Sequence, residues 1–389
     1  MKSHDAFNTN IKVPFFSPWI TTADKKAVSE ALCSTLLTDG PKLRQFETAF
    51  AKFVGTKYAI GVSNATSALH LSLKSIGIGS GDEVIVPDMT FVATANAVVL
   101  TGAIPVFADV EKDSMNISVE SIEQKITPKT RAILPVHFAG KSCDIKNIQR
   151  IARKNDLKII EDCAHAIGAH YEEKHLGNFG SAGCFSFYPT KNITTIEGGM
   201  VVTNSKDIAE YIMSARNHGL TKTLSQRYSI GKPWDYDMRE SGYNYRLDEI
   251  RSSLGLSQLK RIKKINKLRE RRFEYYNKRL KGIDHITTPS SSSKNDHAYH
   301  LYILKVEPNK KISRDILFKK LLERGIRTSV HYKPLHMFSA FKKFRKNVVD
   351  LNNSSQLYDE IISLPFYPNI SEKQQDYVVR SIIDIMKNP

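Results

Sequence analysis

An aspartate that follows an apolar run directly and a lysine that leaves a second such run through a proline turn could do chemistry together. The aspartate is Asp162, in Ile159-Ile160-Glu161-Asp162, and the lysine is Lys191, in Phe185-Ser186-Phe187-Tyr188-Pro189-Thr190-Lys191. A carboxylate at the end of a buried strand can pair with a cationic ring nitrogen and hold its proton in place. A lysine kept near a sheet edge loses part of its hydration, which lowers its pKa and favours the neutral amine that attacks a carbonyl. Each residue also has a plainer reading. Aspartate is a favoured helix N-cap, and a loop lysine is ordinarily a surface charge.

Two further segments could complete such a site. Ser63-Asn64-Ala65-Thr66-Ser67 lies at a strand-to-helix junction, where free backbone N–H groups and the helix dipole attract a phosphate. The same residues are good N-caps. Phe91, in Pro87-Asp88-Met89-Thr90-Phe91, is an aromatic just past a strand end that could stack on a planar ring or fill the core. After Lys191, the run Ile193 to Gly199 ends in paired glycines, which permit a tight backbone approach to a neighbour or a ligand. A ring-nitrogen partner, an amine nucleophile, a phosphate cradle and a stacking ring are what pyridoxal 5'-phosphate (PLP) requires to act as an electron sink.

The elements that must position these residues are legible as patterns. From about residue 50 to 204, short β-branched runs alternate with helical ones, as in a parallel α/β sheet. Strands are predicted at 59–62, 83–86, 104–107, 131–136, 157–160, 183–187 and 200–203. Helices are predicted at 65–76, 93–100 and around 145–154, with Ala68, Leu69 and Leu73 facing the core. A single long helix is expected from Asp248 to about Leu280, then a Ser/Lys-rich connector at Ser290–Asn295 and a strand at Ala298–Val306. Helices at 314–324 and from Glu372 complete the pattern. The division expected is a large α/β domain over 1–255 and a smaller α+β C-terminal domain over 256–389. The candidate residues gather at strand ends, where open α/β sheets bind ligands.

Composition is that of an ordinary globular chain of 389 residues, long enough for two domains. No apolar run approaches the roughly 18 residues needed to cross a bilayer, and the first residues have no apolar core of a signal peptide. Four scattered cysteines (Cys33, Cys143, Cys163, Cys184) read as reduced thiols, so a cytoplasmic protein with no structural metal is expected. The net charge of +17 is concentrated in Lys260–Lys281 and in Lys342–Lys346. In the first stretch Leu259, Ile262, Ile265 and Leu268 recur at helical spacing, so the charges read as a solvated face. They could also attract acidic small molecules through the field of the whole protein. No nucleic-acid motif accompanies them, and neither nucleic acid nor membrane is expected as a partner.

The order of these features resembles the DegT/DnrJ/EryC1/StrS family of sugar aminotransferases. The resemblance rests on Ser63-Asn64-Ala65-Thr66-Ser67-Ala68, Thr90-Phe91-Val92-Ala93-Thr94, Glu161-Asp162-Cys163-Ala164-His165-Ala166, and Ser186 and Lys191 with Glu197-Gly198-Gly199. It continues in Gly242-Tyr243-Asn244-Tyr245-Arg246-Leu247, Val330-His331-Tyr332-Lys333-Pro334-Leu335-His336 and Ser363-Leu364-Pro365, so it runs from about Pro14 to Asn388. It implies an aspartate-aminotransferase-like fold, fold type I. Lys191 would carry PLP as a Schiff base and move the proton between cofactor and substrate carbon. Asp162 would pair with the pyridine nitrogen, His165 would stand near the phenolic oxygen and Phe91 would stack on the ring. Ala65, Thr66 and Ser186 would hold the phosphate, with Asn244 reaching in from the neighbouring subunit of a homodimer. His331 and Tyr332 are candidates for the substrate side.

The reaction implied is transfer of an amine from L-glutamate to a nucleotide-linked ketosugar through pyridoxamine phosphate, in two half-reactions sharing one site. Ala139-Gly140-Lys141-Ser142 and the runs after Phe91 and Ile193 look most like the branch that aminates C4 of UDP-4-keto-6-deoxy-N-acetylhexosamines, as in pseudaminic acid synthesis. That branch usually has another residue where Tyr188 stands, and the perosamine, viosamine and bacillosamine branches stay open. A PLP-dependent sugar dehydratase would replace Lys191 by histidine, and its iron–sulfur variant would want clustered cysteines. A non-catalytic regulatory protein on the same fold could dispense with Asp162 or Lys191, and this chain retains both.

Overall fold

The computed structural model describes residues 11–222, 226–227, 231–290, 297–309, 311–347 and 350–388 of the chain, without the side chains of 345–347. Its main sheet has seven strands: β1 (Tyr58–Val62), β2 (Glu83–Pro87), β3 (Ile104–Ala108), β4 (Thr130–Ile133), β5 (Lys158–Asp162), β8 (Ala182–Ser186) and β9 (Gly199–Thr203). A small hairpin, β6 (His170–Tyr171) with β7 (Lys174–His175), lies between β5 and β8 in the chain. The spatial order is β1-β9-β8-β5-β4-β2-β3. All the strands of this sheet run one way except β9, which is antiparallel to both of its neighbours, β1 and β8.

Parallel sheets are covered on both faces, so their strands are apolar almost throughout. That is why β1, β2, β4 and β5 are legible as short aliphatic runs. Alternate residues feed two cores. Val84 and Val86 of β2 pack with Leu69, Leu71 and Leu73 of the helix Ala65–Ser75, while Ile85 faces Ile145, Ile148 and Ile151 of the helix Ile145–Lys154. The predicted core positions Ala68, Leu69 and Leu73 are fully buried.

The C-terminal part is α+β, as expected. A three-stranded antiparallel sheet, β10 (Ile286–Thr287), β11 (Ile303–Val306) and β12 (Ile361–Ser363), shares a core with the helices Arg314–Glu323 and Glu372–Lys387. Val13 pairs with Ile326 and is buried in the same core. The helix Ile262–Leu280 is rooted in both parts. Ile262 and Ile265 pack with β8 and β9 residues, and Phe273, Tyr276 and Leu280 pack with the C-terminal core.

Three expectations need correction. The long helix from Asp248 to Leu280 is two helices, Glu249–Leu259 and Ile262–Leu280. At the break Arg261 leaves helical geometry (φ −108°, ψ 2°) and turns its guanidinium to Asp24 (2.6 Å) and over the Trp19 ring. The strand expected over Ala298–Val306 begins only at Ile303, because Ala298 and His300 spend their N–H groups on Gly140 and Ala139. Arg131–Val136 shortens to end at Ile133, with Val136 making only an isolated bridge to Asp162. The connector Ser290–Asn295 lies outside the described residues from 291 on. The basic helix has the expected solvated face at Lys263, Lys264, Lys267, Arg271 and Lys278. Arg269 departs from it. It is buried and donates to the carbonyls of Tyr299, His300 and Phe366, and burial pulls its pKa down to about 9.

Candidate active site

The carboxyl ends of β1, β2, β5 and β8 lie along one edge of the sheet, and antiparallel β9 enters at that edge. Val62 pairs with Gly199 and Gly199 with Ser186, so the ends of β1 and β8 flank the start of β9 in one row. Ser63, Asp88, Asp162 and the Lys191 loop are thereby gathered from distant parts of the chain.

Asp162 is buried and accepts two hydrogen bonds, from Thr94 Oγ1 and from the Ala164 amide, both at 3.0 Å. Burial raises its pKa, and these bonds and the charge of Lys191 oppose the rise. Lys191 responds in the opposite sense. Burial lowers its pKa to about 8, with Asp162 working against the shift. A lysine in that range supplies neutral amine near physiological pH. Its loop is held on both sides: the Lys191 amide donates to Tyr188 O, Thr194 donates to Phe187 O, and the Thr194 amide donates to Gln258 Oε1. Between them, Asn192 is buried and donates to Asn266 Oδ1 and Ala298 O.

At the β1 edge, Asn64 caps the helix Ala65–Ser75 by accepting from the Ser67 amide at 2.8 Å. The amides of Ala65 and Thr66, in the first turn, have no intrahelical acceptor and remain available to an anion. The N-cap and phosphate readings of 63–67 are therefore compatible. Gly199 explains part of the glycine pair. A Cβ there would stand 2.5 Å from the Asn64 carbonyl carbon and oxygen, so the close approach is to the chain's own 63–67 segment. Ser186, half-buried, accepts from the Tyr188 amide at 3.4 Å.

Phe91 is 57 % exposed at the same edge, which sets aside the core reading. His165 is buried. Its pKa is lowered well below 6.5 by burial first and then by the charges of Lys191 and His331. His331 donates to or accepts from Ser363 Oγ at 2.8 Å and stacks on Phe15. Tyr332 has its hydroxyl 3.2 Å from His165 Nε2 and its ring 5.9 Å from Phe91. Asn244 is exposed on this chain, in a segment whose Tyr245 carbonyl accepts from the Ser63 amide at 2.8 Å.

Among the residues that sequence reasoning left without a role are Thr94, Asn192 and His300. Thr94 left a faint signal, a hydroxyl four residues after Thr90 at a strand-to-helix junction; the two hydroxyls meet at 3.0 Å. His300 left none, since only the folded chain brings its ring within 4.3 Å of His165.

The model for the DegT/DnrJ/EryC1/StrS aminotransferase family matches residues 18–383. The spore coat polysaccharide biosynthesis protein SpsC of Bacillus subtilis is 39% identical over 378 residues, covering 96% of this chain and 97% of that protein. Among solved structures, Helicobacter pylori PseC, an aminotransferase involved in the biosynthesis of pseudoaminic acid, superposes with a TM-score of 0.90 at 32% identity. The alignment covers 97% of this chain and all of PseC. Spr1654 of Streptococcus pneumoniae, in its pyridoxamine phosphate form, gives 0.91 at 29% identity over 97% and 99% of the two chains.

The chain belongs to the DegT/DnrJ/EryC1/StrS aminotransferase family.

As a member of that family it is a PLP-dependent sugar aminotransferase of fold type I. The residues present fit PLP. Among the described residues His165 Nδ1 is a buried polar atom with no hydrogen-bond partner, the Ala65 and Thr66 amides in the first helical turn have no intrahelical acceptor, and Phe91 offers an exposed ring at the sheet edge that holds buried Asp162. A second titratable cluster, His137, Glu161 and Cys163, has the closeness of a metal site. Its carboxylate is already committed, to the amides of Gly177 (2.8 Å), Phe179 (2.6 Å) and Gly180 (2.8 Å) and to His137 Nε2 (3.1 Å). No helix among the described residues is long and apolar enough to cross a membrane.

Proposed function

We propose that this aminotransferase moves an amino group from glutamate to C4 of a nucleotide-linked 4-keto-6-deoxysugar, of the UDP-N-acetylhexosamine kind, by ping-pong kinetics. The likeness to PseC and to a polysaccharide biosynthesis protein supports a product destined for a surface glycan. The observation that carries the reading is the meeting at one sheet edge of an amine with its pKa lowered to about 8 and a buried carboxylate.

Bound PLP supplies an electron sink for the bonds at the amine-bearing carbon. The chain's own residues supply the rest. Asp162 holds a proton on the pyridine nitrogen, and its burial keeps water from competing for that contact. Lys191 Nζ binds the cofactor and, once released, carries the proton to and from the substrate carbon. Phe91 orients the ring. The amides of Ala65 and Thr66, with Ser186, anchor the phosphate. Asn244, exposed here, would complete that anchor in a second copy of the chain, giving a homodimer with shared sites. His331 and Tyr332 line the side from which the sugar enters.

Absorbance spectroscopy tests the reading. Protein purified with PLP should absorb in the visible, lose that band in Lys191→Ala, and shift to the pyridoxamine form with glutamate. A colourless protein indifferent to PLP overturns it. Amination of a panel of UDP-, GDP- and dTDP-linked 4-keto and 3-keto sugars decides the substrate, and a preference for a 3-keto sugar would overturn the C4 assignment.

A further inference from the structure

The two ring nitrogens of His165 have different surroundings. Nε2 stands 3.2 Å from the Tyr332 hydroxyl, whereas Nδ1 is buried without a hydrogen-bond partner among the described residues. The ring lies against His300, with centroids 4.3 Å and planes 34° apart. The tautomer of His300 can be worked out from Asn192. The Asn192 Nδ2 donates to Ala298 O at 2.7 Å and to Asn266 Oδ1 at 2.9 Å, so its Oδ1 can only accept. His300 Nδ1, 3.3 Å from that oxygen, must therefore be the donor. Asn192 directly follows Lys191, so the lysine loop and the His165 platform are tied together.

The groups facing His165 are Lys191, His331, His300 and Tyr332. Burial, with the charge of Lys191, keeps His165 neutral. Burial, with the charge of Asp162, keeps the Tyr332 phenol protonated by raising its pKa. A neutral imidazole opposite a protonated phenol leaves two arrangements, with either partner as donor. Among the described residues the Tyr332 hydroxyl meets no other acceptor than His165 Nε2. Were it not to donate there, its proton would lack a partner among the described residues, an unfavourable arrangement for a part-buried hydroxyl.

We propose that Tyr332 is a positioning residue whose hydroxyl donates to His165 Nε2, fixing His165 as the Nδ1–H tautomer that presents one N–H donor to the phenolic oxygen of the cofactor, while His300, pinned by Asn192, holds the ring plane. The inference rests on the proposed placement of His165 beside that oxygen. It shifts Tyr332 from the substrate side toward the cofactor side of the site.

The decisive measurement is made on the protein freed of PLP. Histidine ring ¹⁵N shifts at pH 7.5, assigned with a His165→Gln variant, should show His165 protonated at Nδ1 and unprotonated at Nε2. Tyr332→Phe should move the pattern toward Nε2–H, the form free imidazole prefers. A wild-type ring already protonated at Nε2, or a pattern unmoved by Tyr332→Phe, overturns the proposal. In the PLP-loaded protein, Tyr332→Phe should raise the midpoint of the pH-dependent visible absorbance by about one unit, since the phenolic oxygen loses a well-placed donor. An unmoved midpoint overturns the link to the cofactor. A protein that never takes up PLP strikes the functional reading, and the PLP-free tautomer still decides for or against Tyr332.

Discussion

Glu161 and Asp162 are adjacent carboxylates at the end of one strand, and the fold treats them in opposite ways. Successive strand residues point to opposite faces. Glu161 points into a network that completes it: three backbone amides and the His137 imidazole take both of its oxygens. Burial alone would raise its pKa, but the His137 contact and the Gly177 and Gly180 amides outweigh burial and hold it below 4.5. Asp162 points to the Lys191 side, accepts one bond on each oxygen and keeps a raised pKa. Equal burial therefore does not mean equal purpose. A carboxylate finished by its own chain stabilises the fold, and one left with fewer partners is free to meet a group from outside the chain.

Exchanging each carboxylate for its amide should separate the two most widely. Asp162→Asn removes the charge proposed to hold the ring-nitrogen proton, so turnover should fall by about 10³-fold, roughly 4 kcal/mol of lost transition-state stabilisation. Its PLP-free melting temperature should stay level or rise, because a strained charge is gone. Glu161→Gln should do the reverse. Whichever way the amide turns, an NH₂ meets backbone or imidazole donors, and stability should drop by about 3 kcal/mol. Turnover per folded molecule should stay within a few-fold of wild type. Urea unfolding and single-turnover rates on the same preparations check both; equal losses of rate in the two variants would erase the distinction.

Acid titration of stability sharpens the contrast through its sign. Glu161 has a depressed folded pKa, so its contribution is present above the free value of 4.5 and is lost as pH falls through the folded value. Asp162 has a raised folded pKa, so the PLP-free protein gains stability as pH falls through that value toward 3.8. Each slope is at most about 1.4 kcal/mol per pH unit. Glu161→Gln should flatten the acid loss, and Asp162→Asn should remove the gain. Unfolding free energies between pH 3 and 7 that leave both limbs unchanged would refute these assignments.

This contrast was only half legible in the sequence. The strand Ile159–Asp162, its apolar run and its place at a sheet edge were clear from local pattern, and so Asp162 could be picked as a site residue. Adjacent Glu161 carried no mark of its role, because its partners come from two separate segments, residue 137 and the loop 177–180. Arg269 shows the same limit. A helical stripe of charges reads as solvated, and only tertiary packing reveals that one of them is buried under three carbonyls. The break at Arg261 was hidden too, since Lys260-Arg261 has good helix propensity and is turned aside by Asp24 and Trp19. Glycine was misleading in a milder way: Gly199 was legible as a close approach, but the neighbour is the Asn64 backbone.

The smallest effect concerns how unfinished Asp162 is allowed to be. Thr94 gives it one hydrogen bond at 3.0 Å and is itself steadied by Thr90. Thr94→Val keeps the shape and removes the hydroxyl. Asp162 then keeps the Ala164 amide alone on the protein side, and its pKa rises further because a bond to the charged form is gone. The carboxylate becomes a weaker partner for the ring nitrogen, by about 1 kcal/mol or roughly fivefold in turnover. Thr94→Ser should recover most of the loss, since the hydroxyl returns although the methyl does not. If Thr94→Val instead cost as much as Asp162→Asn, the hydroxyl would be acting on the reaction itself and the division between completed and open carboxylates would be too simple. If it cost nothing, Ala164 alone would suffice to orient Asp162.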